Sequence, residues 1–354
     1  MWVVIDFIRW SIPCAIGLLA VYYAVFIMHR PYIYFKGDRI NRFFEKCDAP
    51  TSSFAPHPFL CLPGSSGSLQ TYNCNKYVRN RTIKMHIFTE KVKESSGAEI
   101  TLDWFTCKPI TQDSPQFRIG VDTKDKHGIL VIVKHPLCGS QAAQAIESMT
   151  STPDFQVCVV TLPIGTCSHA CSSSPCLGNA CIPIATETIV KRTGNSPRVI
   201  LGIGIGGMHV LDYLTRSGID PHYQAAAFIS AGYPTMHACN VYSAKNFIKG
   251  GGSDLGSEKL WCEASSGNEC CFGDSSKSSA AAVLDGLNIP TLLLHAIDDP
   301  LVDVNTLDIL KGLKNPLVAF AITEQGGHCG WCDLKGERWS EKLVFEFLEH
   351  AIAI

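Results

Sequence analysis

Beyond Gly128, short apolar runs alternate along the chain with stretches of helical periodicity. The strand-like runs are residues 129–133, 156–161, 198–203, 224–230, 291–297 and 317–322. The helix-like stretches are residues 141–150, 184–193, 207–217, 304–312 and 336–352. Apolar strands that alternate with helices indicate a mostly parallel, twisted sheet covered by helices on both faces. We therefore predict an α/β fold whose ligand site lies at the carboxyl ends of the strands.

Two segments depart from this alternation. Residues 82–90 and 99–105 alternate single apolar and polar positions, which predicts antiparallel strands with one solvated face. Residues 234–289 separate two predicted strands and include three consecutive glycines and a serine-rich stretch. A connection of that length in a compact domain is typical of a lid, so we predict a lid insertion there.

The N-terminus carries an uncharged apolar stretch at residues 10–28, flanked by aromatic residues. Its length predicts a helix that crosses a bilayer. A cleaved signal peptide would have a shorter apolar core and a small-residue cleavage site, and a buried N-terminal helix is the other alternative. We expect a signal-anchor transmembrane helix at residues 1–29, a neck at 30–80 and the main domain at 81–354.

The membrane side of the main domain stays open. Four basic residues follow the apolar stretch and favour a cytoplasmic domain: Arg30, Lys36, Arg39 and Arg42. The 17 cysteines and the sequon Asn80-Arg81-Thr82 favour a lumenal one. We expect a single-pass protein of the endoplasmic reticulum or plasma membrane in either orientation. The net charge of −2 predicts no general affinity for nucleic acid.

The predicted strand at 198–203 continues into Gly202-Ile-Gly-Ile-Gly-Gly207, and a predicted helix follows. A strand, a tight glycine-rich turn and a helix are the setting of a nucleophile elbow, G-x-S-x-G. Its central residue here is Gly204, which has no hydroxyl group. The same glycines could cradle a dinucleotide phosphate, but that motif follows the first strand of a sheet, whereas this one lies mid-sheet.

Two further loops carry catalytic residue types at strand ends. Asp299 follows the penultimate predicted strand and His328 follows the last, which is the chain order of triad acid and base in α/β hydrolases. The backbone N–H groups of Leu137 and Ile205 are the candidate oxyanion donors. Alone, an Asp-Asp-Pro or a Gly-Gly-His sequence is commonly only a turn. The order of the three sites at strand ends makes the set specific.

These residues resemble the membrane-anchored α/β-hydrolase-domain (ABHD) lipases and esterases, a clade with the yeast medium-chain ethyl-ester synthases and the bacterial YheT-like esterases. The resemblance spans roughly residues 55–354 and rests first on the elbow and on the loops of Asp299 and His328. Three further segments match the family: Gly67-Ser-Leu-Gln-Thr71 resembles its G-H-L-Q-T motif, Leu102-Asp-Trp104 resembles its L-D-W motif, and Trp339 lies where it often has Trp before the last helix. Ser68 stands where the family usually has His.

The resemblance implies an α/β-hydrolase fold and acyl hydrolysis or transfer on lipid-like esters, with Asp299 as acid and His328 as base. The family's serine does not carry over to Gly204. We therefore expect a catalytically silent protein that binds an acyl ester or fatty acyl ligand. The alternative is retained ester hydrolysis through water or through another nucleophile, the candidates being Ser230, Ser253 and Cys138.

Cysteine chemistry is a third hypothesis. Cys329-Gly-Trp-Cys332 is a C-x-x-C directly after His328, and further cysteines cluster at positions 167, 171, 176, 181, 262, 270 and 271. A redox C-x-x-C needs a helix N-terminus, and the spacings do not match zinc modules. We expect disulfides or inert buried thiols, and neither a metal nor a cofactor.

Overall fold

The computed structural model describes residues 2–48, 54–57, 67, 69–71, 86–93, 97, 99–106, 128–134, 155–163, 177–216, 222–232, 280–300, 302 and 312–352. Most of the predicted lid at 234–289 and the predicted helices at 141–150 and 304–312 lie outside these residues.

A single sheet organises the described part of the chain. Its strands are β1 (Tyr32–Phe35), β2 (His86–Lys93), β3 (Glu99–Thr106), β4 (Gly128–Lys134), β5 (Phe155–Thr161), β6 (Arg198–Ile203), β7 (Ala225–Ile229), β8 (Thr291–Ala296) and β9 (Val318–Thr323). They lie in the order β1-β9-β8-β7-β6-β4-β5-β3-β2. Strands β4 to β9 pair in parallel, whereas β1, β2 and β3 pair antiparallel. The predicted mostly parallel sheet is confirmed.

Helices cover both faces of this sheet. They are α2 (Asp38–Phe44), α3 (Leu177–Thr193), α4 (Ile205–Arg216), α5 (Ala280–Asp285) and α6 (Trp339–Ile352). The first helix of the chain, α1 (Trp2–Tyr22), has mostly exposed side chains from residue 11 onward. Successive residues of a strand point to opposite faces. In β4, Val131 packs with the cluster that includes residues of α3 and α4, while Ile132 packs with the cluster that includes residues of α2 and α6. Burial on both sides explains why these strands are apolar throughout.

The segment at 30–48, within the expected neck, contributes to the domain. Strand β1 pairs antiparallel with β9 at one edge of the sheet. Helix α2 buries Ile40 and Phe43 fully, and the Phe43 ring packs edge-on against Phe347 of α6 with 5.6 Å between centroids. These contacts attach residues 30–48 to the sheet and to α6.

The N-terminal helix does not have the form predicted for an anchor. Helix α1 ends at Tyr22 and is followed directly by a π-helical segment, Tyr23–Ile27. The first turns of α1 include the charged residues Asp6 and Arg9. The uncharged α-helical part, residues 10–22, extends only about 20 Å, against about 30 Å of bilayer core. Across the described residues, no helix combines the length and the apolar character needed to cross a membrane. The predicted transmembrane helix at 10–28 and the single-pass placement are therefore wrong.

Candidate active site

Gly204 forms the whole connection between β6, which ends at Ile203, and α4, which begins at Ile205. Its φ is +54°, a left-handed conformation that side chains with a Cβ rarely adopt. Its N–H donates to the carbonyl of Ile229 on the neighbouring strand β7, with N and O 3.0 Å apart. The turn has the sharp strand-to-helix form of a nucleophile elbow, and a glycine stands at its tip.

The neighbouring glycines allow close backbone contact. A Cβ on Gly202 would lie 2.3 Å from the Cα of Gly207, and a Cβ on Gly206 would lie 2.5 Å from the carbonyl oxygen of Val133. Residues larger than glycine would therefore push α4 away from β6 and from the end of β4. These contacts account for the glycine pattern by packing, without a bound phosphate.

The elbow lies at the point where the strand order reverses. Strand β4 has β5 on one side and β6 on the other, so the loops that follow β4 and β6 leave the sheet in different directions. Ligands of open α/β sheets bind in the crevice at such a point. Leu137, the predicted oxyanion donor after β4, lies outside the described residues. Ile205 is the first residue of α4, where backbone N–H groups have no partner within the helix. Both oxyanion assignments stay predictions.

The structure brings Asp299 and His328 together. Nδ1 of His328 lies 3.0 Å from Oδ2 of Asp299 and 3.2 Å from Oδ1. The N–H of Val302 donates to Oδ1 of Asp299, 3.0 Å away, and fixes the carboxylate. An acid that holds Nδ1 leaves Nε2 of the imidazole as the nitrogen for a substrate or a water molecule.

Burial and neighbouring charges shift the ionisation of three groups near this pair. Burial acts to lower the pKa of His328, but the charge of Asp299 and the adjoining Cys329 thiol outweigh it, and the pKa is raised well above 6.5. Burial raises the pKa of Asp298 to about 6, although the N–H of Gly327 opposes this. Burial lowers the pKa of His295 to about 4. His328 therefore holds its proton more tightly than a free imidazole, and His295 holds its proton less tightly.

The loop that carries His328 is held by side chains from three other parts of the chain. The N–H groups of residues 327, 328 and 329 donate respectively to Asp298 Oδ1 at 2.8 Å, Thr71 Oγ1 at 2.8 Å and Ser230 Oγ at 3.1 Å. On the far side of the loop, Arg338 Nη1 donates to the carbonyl of Cys329 at 3.0 Å. These contacts were not predicted from the sequence, although Thr71 belongs to the Gly67-to-Thr71 segment on which the family resemblance partly rests.

Comparison with known proteins agrees with this geometry. No family model matches the chain. The esterase PF2001 of Pyrococcus furiosus superposes with a TM-score of 0.51 at 14% identity, over 78% of this chain and 97% of the esterase.

The chain has an α/β-hydrolase fold.

Sequence relatives are α/β-hydrolase-domain lipid enzymes. Human phospholipase ABHD3 is 23% identical over 361 residues, which cover 89% of this chain and 82% of that protein. The monoacylglycerol lipase ABHD2 of Danio rerio is 32% identical over 78 residues, 20% of this chain and 18% of the lipase. The medium-chain fatty acid ethyl ester synthase/esterase 2 of Saccharomyces cerevisiae is 32% identical over 65 residues, 18% of this chain and 14% of that enzyme. The relatives of this α/β-hydrolase chain are thus lipases and esterases.

Of the other candidate nucleophiles, the structure describes Ser230. Ser230, just after β7, is fully buried and its Oγ accepts the N–H of Cys329. Ser253 and Cys138 lie outside the described residues. Cys329 and Cys332 are buried, and the Sγ of Cys332 donates to the carbonyl of Asp333 at 3.7 Å. Within the described ranges, no group of three or more His, Cys, Asp or Glu side chains is arranged to hold a metal ion.

Proposed function

We propose that this α/β-hydrolase chain binds a fatty acyl chain or an acyl ester in the cleft above Gly204 and forms no acyl-enzyme with it. The observation that carries the proposal is Gly204 itself, with φ +54° between β6 and α4. In this interpretation it stands where lipases and esterases of the fold have their serine. The ligand class is inferred from the relatives, which are named as a phospholipase, a monoacylglycerol lipase and an ester synthase.

Loss of the nucleophile alone would remove most of the rate. A triad without its serine keeps only about 10³–10⁴-fold catalysis over water, which comes from binding and from the oxyanion donors. The remaining parts of the cleft can still bind an ester, because binding an acyl chain depends on apolar walls rather than on a nucleophile. A binding role is therefore the function that the site supports best.

Slow hydrolysis by activated water is the second candidate. It is favoured by the pair of His328 and Asp299, whose Nδ1 and Oδ2 atoms lie 3.0 Å apart. The pair is formed although the elbow has no serine hydroxyl for His328 to activate. In such a reaction His328, once neutral, would take a proton through Nε2 from the water that attacks the ester carbonyl, and would return it to the alcohol oxygen as the ester C–O bond breaks.

One experiment separates these functions. The full-length chain, its Gly204→Ser and Gly204→Ala variants are compared for turnover of a medium-chain p-nitrophenyl ester, for labelling by a fluorophosphonate and for binding of a fluorescent fatty acid. We expect the native chain and Gly204→Ala to bind the fatty acid without labelling or turnover, and Gly204→Ser to label and to turn over ester.

Three results would contradict the proposal. Labelling of the native chain would mean that another residue is the nucleophile. Native turnover without labelling, lost in a His328→Ala variant, would establish the water mechanism instead. If the native chain binds no fatty acid although its thermal unfolding is cooperative, the proposed ligand class is wrong.

A further inference from the structure

Thr71 belongs to the helical residues 67 and 69–71, which we call the turn, and it connects them to the loop of His328. Its side chain is almost fully buried, with 3% exposure. Its Oγ1 donates to the carbonyl of Gly67 at 2.9 Å and accepts the N–H of His328 at 2.8 Å. A hydroxyl has one proton and two lone pairs, so the two bonds are compatible and fix the direction of each other.

This turn packs against both catalytic loops without free space. A Cβ on Gly67 would lie 1.8 Å from the carbonyl oxygen of Asp298, in the loop of the acid. A Cβ on Gly327, in the loop of the base, would lie 2.3 Å from the carbonyl oxygen of Gly67 and 2.7 Å from Thr71 Oγ1. The turn therefore sets the separation between the two loops as well as the position of His328.

Ser230 holds the next peptide group of the same loop. Its Oγ accepts the N–H of Cys329 at 3.1 Å, and its own N–H donates to the carbonyl of Leu294 on β8. Its φ is +50°, a conformation that costs of order 1–3 kcal/mol in a residue with a Cβ. Such a conformation persists only where surrounding contacts hold it. In this conformation the Ser230 side chain accepts its hydrogen bond from the loop of His328.

We infer that Thr71 and Ser230 are positioning residues, which hold the backbone of His328 and Cys329 so that the imidazole keeps its register with Asp299. The inference rests on the proposed function in that His328 then faces the acyl ligand. It gives the Gly67-to-Thr71 segment a role, because this segment contacts the loops of Asp299 and His328 but does not belong to the elbow. A displacement of about 1 Å at such a group can cost a hundredfold in rate.

The test uses Thr71→Val, which keeps the shape of the side chain and removes its hydroxyl, and Thr71→Ser, which restores the hydroxyl. The matched control is Thr188→Val on α3, because Thr188 Oγ1 donates to the carbonyl four residues before it, as Thr71 Oγ1 does. The readout is the ring ¹⁵N spectrum of His328 in the full-length chain as a function of pH, assigned with a His328→Gln variant.

We expect Thr71→Val to lower the pKa of His328 and to mix its tautomers, because burial then acts with a weaker opposing contact to Asp299. Thr71→Ser and Thr188→Val should titrate like the native chain. In a Gly204→Ser background, fluorophosphonate labelling should slow about tenfold or more with Thr71→Val and less than twofold with Thr188→Val.

An unchanged His328 titration in folded Thr71→Val would overturn the inference, even if the variant unfolds at a lower temperature. Failure of Thr71→Ser to restore the native titration would do the same. If Thr71→Val does not fold, Ser230→Ala is measured in its place, and a native titration there counts against the inference. Because the spectra come from the native Gly204 chain, they decide the positioning role whether or not the serine variant ever labels.

Discussion

The imidazole of His328 and the carboxylate of Asp299 form a buried pair, with Nδ1 3.0 Å from Oδ2. The Asp299 side chain is fully inaccessible and that of His328 is 15% exposed. A raised histidine pKa stabilises the folded state fully below the unfolded value of 6.5, and this stabilisation is lost as the pH rises through the folded pKa. The pair thus ties the stability of the fold to the charge of His328.

Asp299→Asn should lower the free energy of unfolding by about 1–3 kcal/mol at pH 6, because it removes the charge that holds His328 protonated. The loss of stability above pH 6.5 that is due to His328 should vanish in the variant. Urea unfolding at pH 6, 7, 8 and 9 measures both effects. A variant that keeps the native slope above pH 6.5 would show that Asp299 does not set the charge of His328.

The fluorophosphonate labelling rate of the Gly204→Ser variant should depend on pH through the ionisation of His328. In Gly204→Ser, His328 must be neutral to take the serine proton, and its pKa is raised by Asp299 against the effect of burial. We expect the fluorophosphonate labelling rate to rise with pH above 7 and to level off only once His328 is neutral. Gly204→Ala, which has no hydroxyl, should stay unlabelled at every pH. A labelling rate that is flat from pH 6 to 9 would assign the proton transfer to another group.

Asp298 should make the fold less stable as the pH rises from about 4 to about 6. Burial raises its pKa from 3.8 to about 6, so the folded state binds the proton more tightly than the unfolded state across this window. His295, whose pKa is lowered from 6.5 to about 4 by burial, contributes with the opposite sign in the same window. The native curve alone therefore does not isolate Asp298.

Asp298→Asn isolates it, because an amide oxygen still accepts the N–H of Gly327 and does not ionise. The difference in unfolding free energy, variant minus native, should grow by about 1–2 kcal/mol between pH 4 and pH 6.5, a value that allows for the partial exposure of the side chain. Chemical denaturation at half-unit pH intervals measures this difference. A constant difference would mean that Asp298 titrates alike in both states.

Gly206→Ala should destabilise the elbow by about 1–3 kcal/mol, because the added Cβ would lie 2.5 Å from the backbone oxygen of Val133. Gly286→Ala is the matched control, since its Cβ would lie 3.4 Å from the nearest atom, an oxygen of Val283. The control should change the unfolding free energy by no more than about 0.5 kcal/mol. Equal effects of the two substitutions would contradict the close contact between α4 and β4.

The strands of the parallel sheet were predictable because burial on both faces leaves an unbroken apolar run. Residues 198–203 were predicted and form β6 with the same bounds. Helix α3 begins at Leu177, well before the predicted residue 184, although it contains Pro183. Buried neighbours such as Cys181 and Ile182 stabilise a turn that local propensity disfavours. Strand β1 has four residues, too few for a periodic pattern to show.

Residue type and loop position were enough to select Asp299 and His328, and the structure then brings them within hydrogen-bonding distance. The partners of the base loop were not predictable in this way. His328 and Thr71 are 257 residues apart in the chain, and a threonine that accepts a backbone N–H has the same sequence appearance as any other threonine. Such contacts depend on the tertiary structure, and the local pattern of apolar and polar residues does not predict them.

The pairing of β1 with β9 has a practical consequence for making this protein. Strand β9 runs directly into the loop of His328, and Tyr32–Phe35 pairs with its outer edge. A shortened form that begins after Phe35 would present an uncovered row of backbone N–H and C=O groups, which pair readily with other chains. Expression designs that remove the first 48 residues would thus expose the edge of a strand that belongs to the parallel part of the sheet, whereas a start before Arg30 keeps β1 paired with β9.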